Sequence, residues 1–93
     1  MKRALLRSTS FVRAARKIVA KNPQTAAGLE EALRLLSIDA SDPRLKTHKL
    51  KGPLKGSWAC AAGYDLRIVF SFVQDERKEA ILLETIGTHD AVY

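Results

Sequence analysis

Tyr64-Asp65-Leu66-Arg67-Ile68-Val69-Phe70-Ser71-Phe72-Val73 is the stretch on which the fold turns. It is rich in β-branched and aromatic residues, and successive side chains of a strand point to opposite faces. Leu66, Ile68, Phe70 and Phe72 therefore share one face, and Asp65, Arg67, Val69 and Ser71 share the other. So large an apolar face must be covered by other apolar surface. On the opposite face the Cα atoms of Asp65 and Arg67 lie about 6.6 Å apart by strand rise, a spacing that a phosphodiester can bridge.

The flanking sequence supplies both neighbours and cover. Ser57 to Ala62 reads as a preceding strand, and Ala80 to Ile86 as a following one after a charged turn at Gln74 to Glu79, which makes an antiparallel meander. Arg3 to Ser8 can add a short edge strand. Ser10 then offers a side-chain oxygen to cap a helix running through Lys21, with Phe11, Ala15, Ile18 and Val19 as its buried stripe. Arg13, Lys17 and Lys21 recur every fourth residue as a basic ridge on the solvent side. Asn22-Pro23 stops this helix and starts a second, with Asn22 as cap and Leu29, Leu33 and Leu36 at helical spacing. The segment from Asp39 to Gly56 contains Pro43 and Pro53 and reads as a loop or weak strand. The expected fold class is α+β: an antiparallel sheet of about four strands with an N-terminal helical hairpin packed on one face. Residues 1–93 are expected to form one domain, because a chain of this length can build one hydrophobic core and not two.

Composition sets the classes of partner. With 46% hydrophobic and 28% charged residues the chain is an ordinary globular protein. Sixteen Lys and Arg against ten Asp and Glu leave a charge of +6, and the first acidic residue is Glu30. A second basic block holds Arg44, Lys46, Lys49, Lys51 and Lys55. Such one-sided fields attract polyanions without selecting one, and charge alone is explained equally well by a solvated face. Cys60, the single cysteine, lies in an apolar strand and reads as core packing in a reducing compartment. No apolar run is long enough to span a bilayer, and the N-terminus lacks the apolar core of a secretory signal. The expectation is a soluble cytoplasmic protein that does not engage a membrane. The Arg-rich start imitates a transit peptide, but the amphipathic pattern from Phe11 onward belongs to the core.

Cleaving RNA without a metal requires a base for the 2′-OH, an acid for the leaving 5′ oxygen, and cations for the phosphate. His48, Asp65 and His89 can exchange protons, Arg67 can hold phosphate through its fork, and Lys49, Lys51 and Lys55 can hold the backbone. Tyr93, four residues beyond His89, offers a ring on which a base can stack. Each has a structural counterpart. His48 can be a polar loop residue, His89 a strand-end residue, and Asp65 with Arg67 an ion pair of small energetic value. Trp58 and Tyr64 can stack bases, though an aromatic in a small sheet is more often core. The histidines show no metal-ligand spacing and the glycines form no phosphate loop, so neither a metal nor a cofactor is expected.

The series His48-Lys49-Leu50-Lys51-Gly52, Leu54-Lys55-Gly56-Ser57-Trp58, Tyr64-Asp65-Leu66-Arg67-Ile68-Val69-Phe70 and Ile86-Gly87-Thr88-His89-Asp90-Ala91-Val92-Tyr93 resembles the RelE/ParE toxin superfamily, and within it the YafQ-like mRNA interferases. The preceding helical hairpin fits too, so the resemblance covers nearly the whole chain. It implies a twisted sheet with the hairpin on one face, and a toxin that cuts mRNA on the ribosome until silenced by its cognate antitoxin in a hetero-oligomer. By position, His48 matches the first catalytic histidine of the YafQ-like motif, Asp65 its acidic residue, His89 its C-terminal histidine and Tyr93 its terminal aromatic. Arg67 matches the arginine many relatives carry on this strand. Ala61 departs from the pattern, which has a further histidine there. The resemblance leaves open whether His48 or Asp65 is the base. It also leaves open a ParE-like gyrase poison, or a catalytically weak member that binds RNA or antitoxin.

Overall fold

In the computed structural model, residues 2–52, 56–63 and 65–88 are described. Their elements run β1 (Ala4–Arg7), α1 (Thr9–Lys21), α2 (Thr25–Ile38), a 3-10 turn (Pro43–Leu45), β2 (His48–Lys49), β3 (Trp58–Ala61), β4 (Leu66–Asp75) and β5 (Lys78–Thr88). The strands form a five-stranded sheet in the order β1-β5-β4-β3-β2. Both helices lie on one face, so the α+β reading holds. The sheet is mixed, however, with one strand more than expected. β1 pairs parallel with β5, while β2 to β5 form the antiparallel meander. A parallel pair needs a long crossover, which the helices and the rest of the meander supply here. β2 is only two residues long, too short for a periodicity to reveal it.

The core-facing side of β4 carries Leu66, Ile68 and Phe70, all buried, and Phe72 packed against them. Phe72 meets Phe70 and Trp58 edge to face, at centroid separations of 5.6 and 5.7 Å. Trp58 thus belongs to the helix-covered side. From the helices come Phe11, Leu29, Ala32, Leu35 and Leu36, while Leu33, expected inside, is only partly covered. Among the described residues no polar or charged side chain is fully buried.

β5 solves a register problem. Its apolar residues Ile81, Leu83 and Ile86 are spaced by two and then by three, and all three are buried in the same core. The register shifts between Val69 and Phe70: Val69 stands opposite Thr85, and Phe70 opposite Leu83. Glu84 is therefore the extra residue of a β-bulge, and the slip lets Ile81 and Leu83 face the core together with Ile86. β4 and β5 remain paired to Asp75 and Lys78, which confines the turn to Glu76 and Arg77, both at positive φ (50° and 69°).

Helix starts differ from expectation by small steps with clear causes. α1 is capped by Ser8, two residues before Ser10. The Ser8 Oγ accepts the Phe11 N–H at 3.0 Å and donates its own proton to the Glu84 carbonyl at 2.8 Å. Only Ser8 lies close enough to β5 to serve both the helix end and the bulge. At the second helix, Asn22 and Pro23 form a turn rather than a cap: the Thr25 amide and hydroxyl both donate to the Asn22 carbonyl, and α2 begins at Thr25. No helix among the described residues is long and apolar enough to cross a membrane.

Removing the Ser8 hydroxyl by Ser8→Ala should cost about 1–2 kcal/mol in urea unfolding, as loss of a helix cap does, whereas Ser10→Ala should cost less than about 0.5 kcal/mol. Equal effects at the two serines would contradict this cap assignment. Cys60 is fully buried, and desolvation pushes its thiol up to about 12 despite the nearby Arg67 charge. A thiol-specific reagent at neutral pH should leave the folded protein unmodified and label Cys60 once denaturant is added.

Candidate functional site

The helices cover one side of the sheet, and side chains that alternate away from them gather on the other. Arg67 stands opposite Ala61 on β3 and Gly87 on β5, and Val69 opposite Ala59 and Thr85. His48 is in register with Ala59, so it belongs to this far face. Leu50, Ala59 and Val69 make a small buried apolar patch there. Arg67 is half-buried, and one guanidinium nitrogen donates to the Leu66 carbonyl at 2.8 Å. His48 is exposed, with its Nδ1 3.0 Å from the Lys46 carbonyl. A carbonyl can only accept, so Nδ1 carries the proton, and in the neutral ring the lone pair sits on Nε2.

Asp65 departs from its expected place. β4 begins at Leu66, and the Ala62 amide donates to the Leu66 carbonyl, so Asp65 sits in the connection between β3 and β4. Strand alternation does not extend to it, and the strand-rise spacing to Arg67 loses its basis. Asp65 instead borders a pocket of about 740 Å³ at the end of the sheet, whose walls include Ile18, Lys21, Thr25 and Thr88. His89, Tyr93 and Lys55 lie outside the described residues, as does Tyr64.

The described cations of the basic block that begins at Arg44 have different surroundings. Arg44 donates through Nε and a terminal nitrogen to Asp42, at 3.0 and 2.9 Å, and its amide donates to the same carboxylate. These bonds hold the Asp42 carboxyl down at about 2. Lys49 alternates to the helix side, where its Nζ lies 5.3 Å from the centre of the Trp58 ring. Lys46 and Lys51 are exposed. On α1, Arg13, Lys17 and Lys21 are exposed as expected, together with Arg16.

One group of the far face escaped the sequence reading. Ser57 precedes the core-facing Trp58, so it faces the other way, and its hydroxyl donates to Oε1 of Glu84 at 2.8 Å. Glu84 is half-buried and reaches this serine from the bulge in β5 across the line of β4. Its signal in the sequence was the break of alternation between Leu83 and Ile86, which marks a bulge in an otherwise regular strand.

No family model and no curated protein matches the sequence. Solved structures match closely in shape. YafQ from E. coli superposes with a TM-score of 0.76 at 20% identity, covering 99% of either chain. The YoeB/ParE toxin from Agrobacterium tumefaciens gives 0.75 at 14% identity, over 92% of this chain and 98% of that one. In the E. coli DinJ-YafQ toxin–antitoxin complex the corresponding values are 0.74 and 21%, over 100% and 99%. Two helices on one face of a five-stranded mixed sheet, matched from end to end, are the fold this chain shares with YafQ and with the YoeB/ParE toxin.

Proposed function

We propose that this chain is the toxin of a type II toxin–antitoxin pair, a cytoplasmic endoribonuclease that cuts mRNA on the ribosome without a metal and so stops translation. What carries the reading is a YafQ-like fold over the whole chain combined with an arginine and a histidine on the sheet face that the helices leave uncovered. In this reaction a base, His48 or Asp65, takes the 2′-OH proton, and the 2′ oxygen attacks phosphorus. Arg67 and exposed lysines such as Lys46 and Lys51 steady the phosphate charge, His89 protonates the departing 5′ oxygen, and Tyr93 stacks on a base. The Nδ1–H tautomer of His48 supports a proton-accepting role, because it places the lone pair on Nε2.

The partner is a cognate antitoxin, as DinJ is for YafQ in their complex. Its binding segment should be acidic or amphipathic. The exposed Arg13, Arg16, Lys17 and Lys21 make no ion pair among the described residues and offer it complementary charge. A second reading, a gyrase poison, draws on the equally good likeness to the YoeB/ParE toxin.

The purified chain, given mRNA on translating ribosomes, should yield products ending in a cyclic or 3′ phosphate and leave DNA of the same sequence intact, since DNA lacks the 2′-OH. His89→Gln should lower turnover by roughly 10²–10⁴, the usual contribution of a positioned proton donor, without unfolding the protein. Intact mRNA alongside inhibited supercoiling would instead establish the gyrase reading.

A further inference from the structure

The pocket of about 740 Å³ at the end of the sheet lies where the turn between the helices meets the connection from β3 to β4. Its size is that of a small-molecule site, and so is its make-up of apolar walls with a few polar groups. Ile18, Ala62 and Leu66 supply apolar surface. Lys21, Asn22, Gln24 and Asp65 are exposed around it, and none of these four side chains makes a hydrogen bond or ion pair among the described residues.

Gly28 shows that this space is kept open. It stands inside α2, where glycine weakens the helix relative to alanine. Its φ is not positive, so the backbone does not require glycine. Packing does not require it either: a Cβ there would lie 3.5 Å from the Gly63 Cα and 3.8 Å from the Ala62 carbonyl oxygen, which are ordinary contact distances. What the missing side chain does is leave room along one wall of the pocket.

The pocket adjoins the groups assigned to the reaction. Asp65 borders it, and Arg67 directly follows Leu66. The Arg67 guanidinium donates back to the Leu66 carbonyl at 2.8 Å, which sets the cation beside a wall of the pocket. A phosphate at Arg67 thus has the pocket as its neighbour. Apolar walls suit the faces of an unstacked nucleobase, and the Asn22 and Gln24 carboxamides each offer a donor and an acceptor to its edge.

On the ribonuclease reading, on which this inference rests, we infer that the pocket takes the base of a nucleotide adjoining the scissile phosphate, and that Asn22 and Gln24 read its edge. These two residues set where the RNA is cut and take no part in the proton transfers. Gly28 gives the base its room.

The test uses the full chain and the variants Gly28→Ala, Gly28→Val, Asn22→Ala with Gln24→Ala, and Ala27→Val, each checked by its thermal melt. Cleavage of ribosome-bound mRNA gives KM, maximal rate and the sequence at the cut. The amide NMR spectrum, titrated with trinucleotides made uncleavable by 2′-O-methylation, gives binding directly. Gly28→Ala should melt at a higher temperature than wild type and yet raise KM. Gly28→Val should raise KM at least about tenfold, the usual effect of surplus methyl groups in a pocket, with a smaller effect on the maximal rate. Ala27→Val, the same kind of change at an exposed helix position outside the pocket, should leave KM and the cut sites as in wild type. The double variant should lose nucleotide preference at one position beside the cut. Trinucleotides should shift the amides of Gln24, Thr25, Gly28 and Gly63 in the wild type and not in Gly28→Val. Wild-type KM and cut sites in folded Gly28→Val, or amides that no trinucleotide moves, overturn the pocket and leave the ribonuclease reading standing. Shifted amides in a wild-type chain that cuts no RNA overturn the ribonuclease reading and leave a base-binding pocket.

Discussion

The pairing of β4 with β5, slipped by one residue at Glu84, is the constraint from which the rest of the molecule follows. β1 adds to one side of this ladder and β3 to the other, and α1 and α2 pack on the face it makes apolar. A regular ladder could not bury Ile81, Leu83 and Ile86 together, because strict alternation sends the first two to the opposite side from the third. Each such side chain contributes about 1.5–3 kcal/mol when buried, far more than the loss of one ladder position. At the slip the Ser8 hydroxyl donates to the Glu84 carbonyl while its oxygen caps α1. One serine thus joins the start of the first helix to the irregularity that makes the core possible.

That arrangement also divides the protein's two chemistries. Leu66, Ile68, Phe70 and Phe72 of β4 and Ile81, Leu83 and Ile86 of β5 go to the helix side, and the far face carries a small buried apolar patch together with Arg67, His48, Ser57 and Glu84. The acidic residues govern which cations stay available to a polyanion. Asp42 engages Arg44, Glu31 engages Arg34, and Glu79 engages Arg3. Exposed pairs of this kind add little stability, but they withdraw these arginines from the surface field. The basic ridge of α1 keeps its charge, since no acidic residue precedes Glu30 in the sequence.

Much of the fold was legible because apolar residues recur with the periods of helices and strands. The face of Leu66, Ile68, Phe70 and Phe72, the stripe of α1, the helical hairpin and the buried Cys60 all follow from spacing and burial. The errors were local. Ser8, Thr9 and Ser10 can all cap a helix, and only the nearness of β5 selects Ser8. Asp65 was read as a strand residue because the run beginning at Tyr64 does not reveal where pairing starts. The engagement of Arg44 by Asp42, two residues away, could not be read from spacing, because it depends on the turn between them.

The sequence by itself determined the inventory: which segments are amphipathic and with what period, how charge is distributed, and which proton-transfer groups exist. The YafQ-like resemblance, and with it the interest in His48, Asp65, Arg67, His89 and Tyr93, was already visible at that level. Only the tertiary structure decided that β1 runs parallel to β5, that Lys49 and His48 take opposite faces, and that a carboxylate from the last strand is held by a serine before the third. Each of these is a contact between segments remote along the chain. Such contacts are set by register and packing, where a slip of one residue exchanges one face for the other, and no local periodicity encodes them.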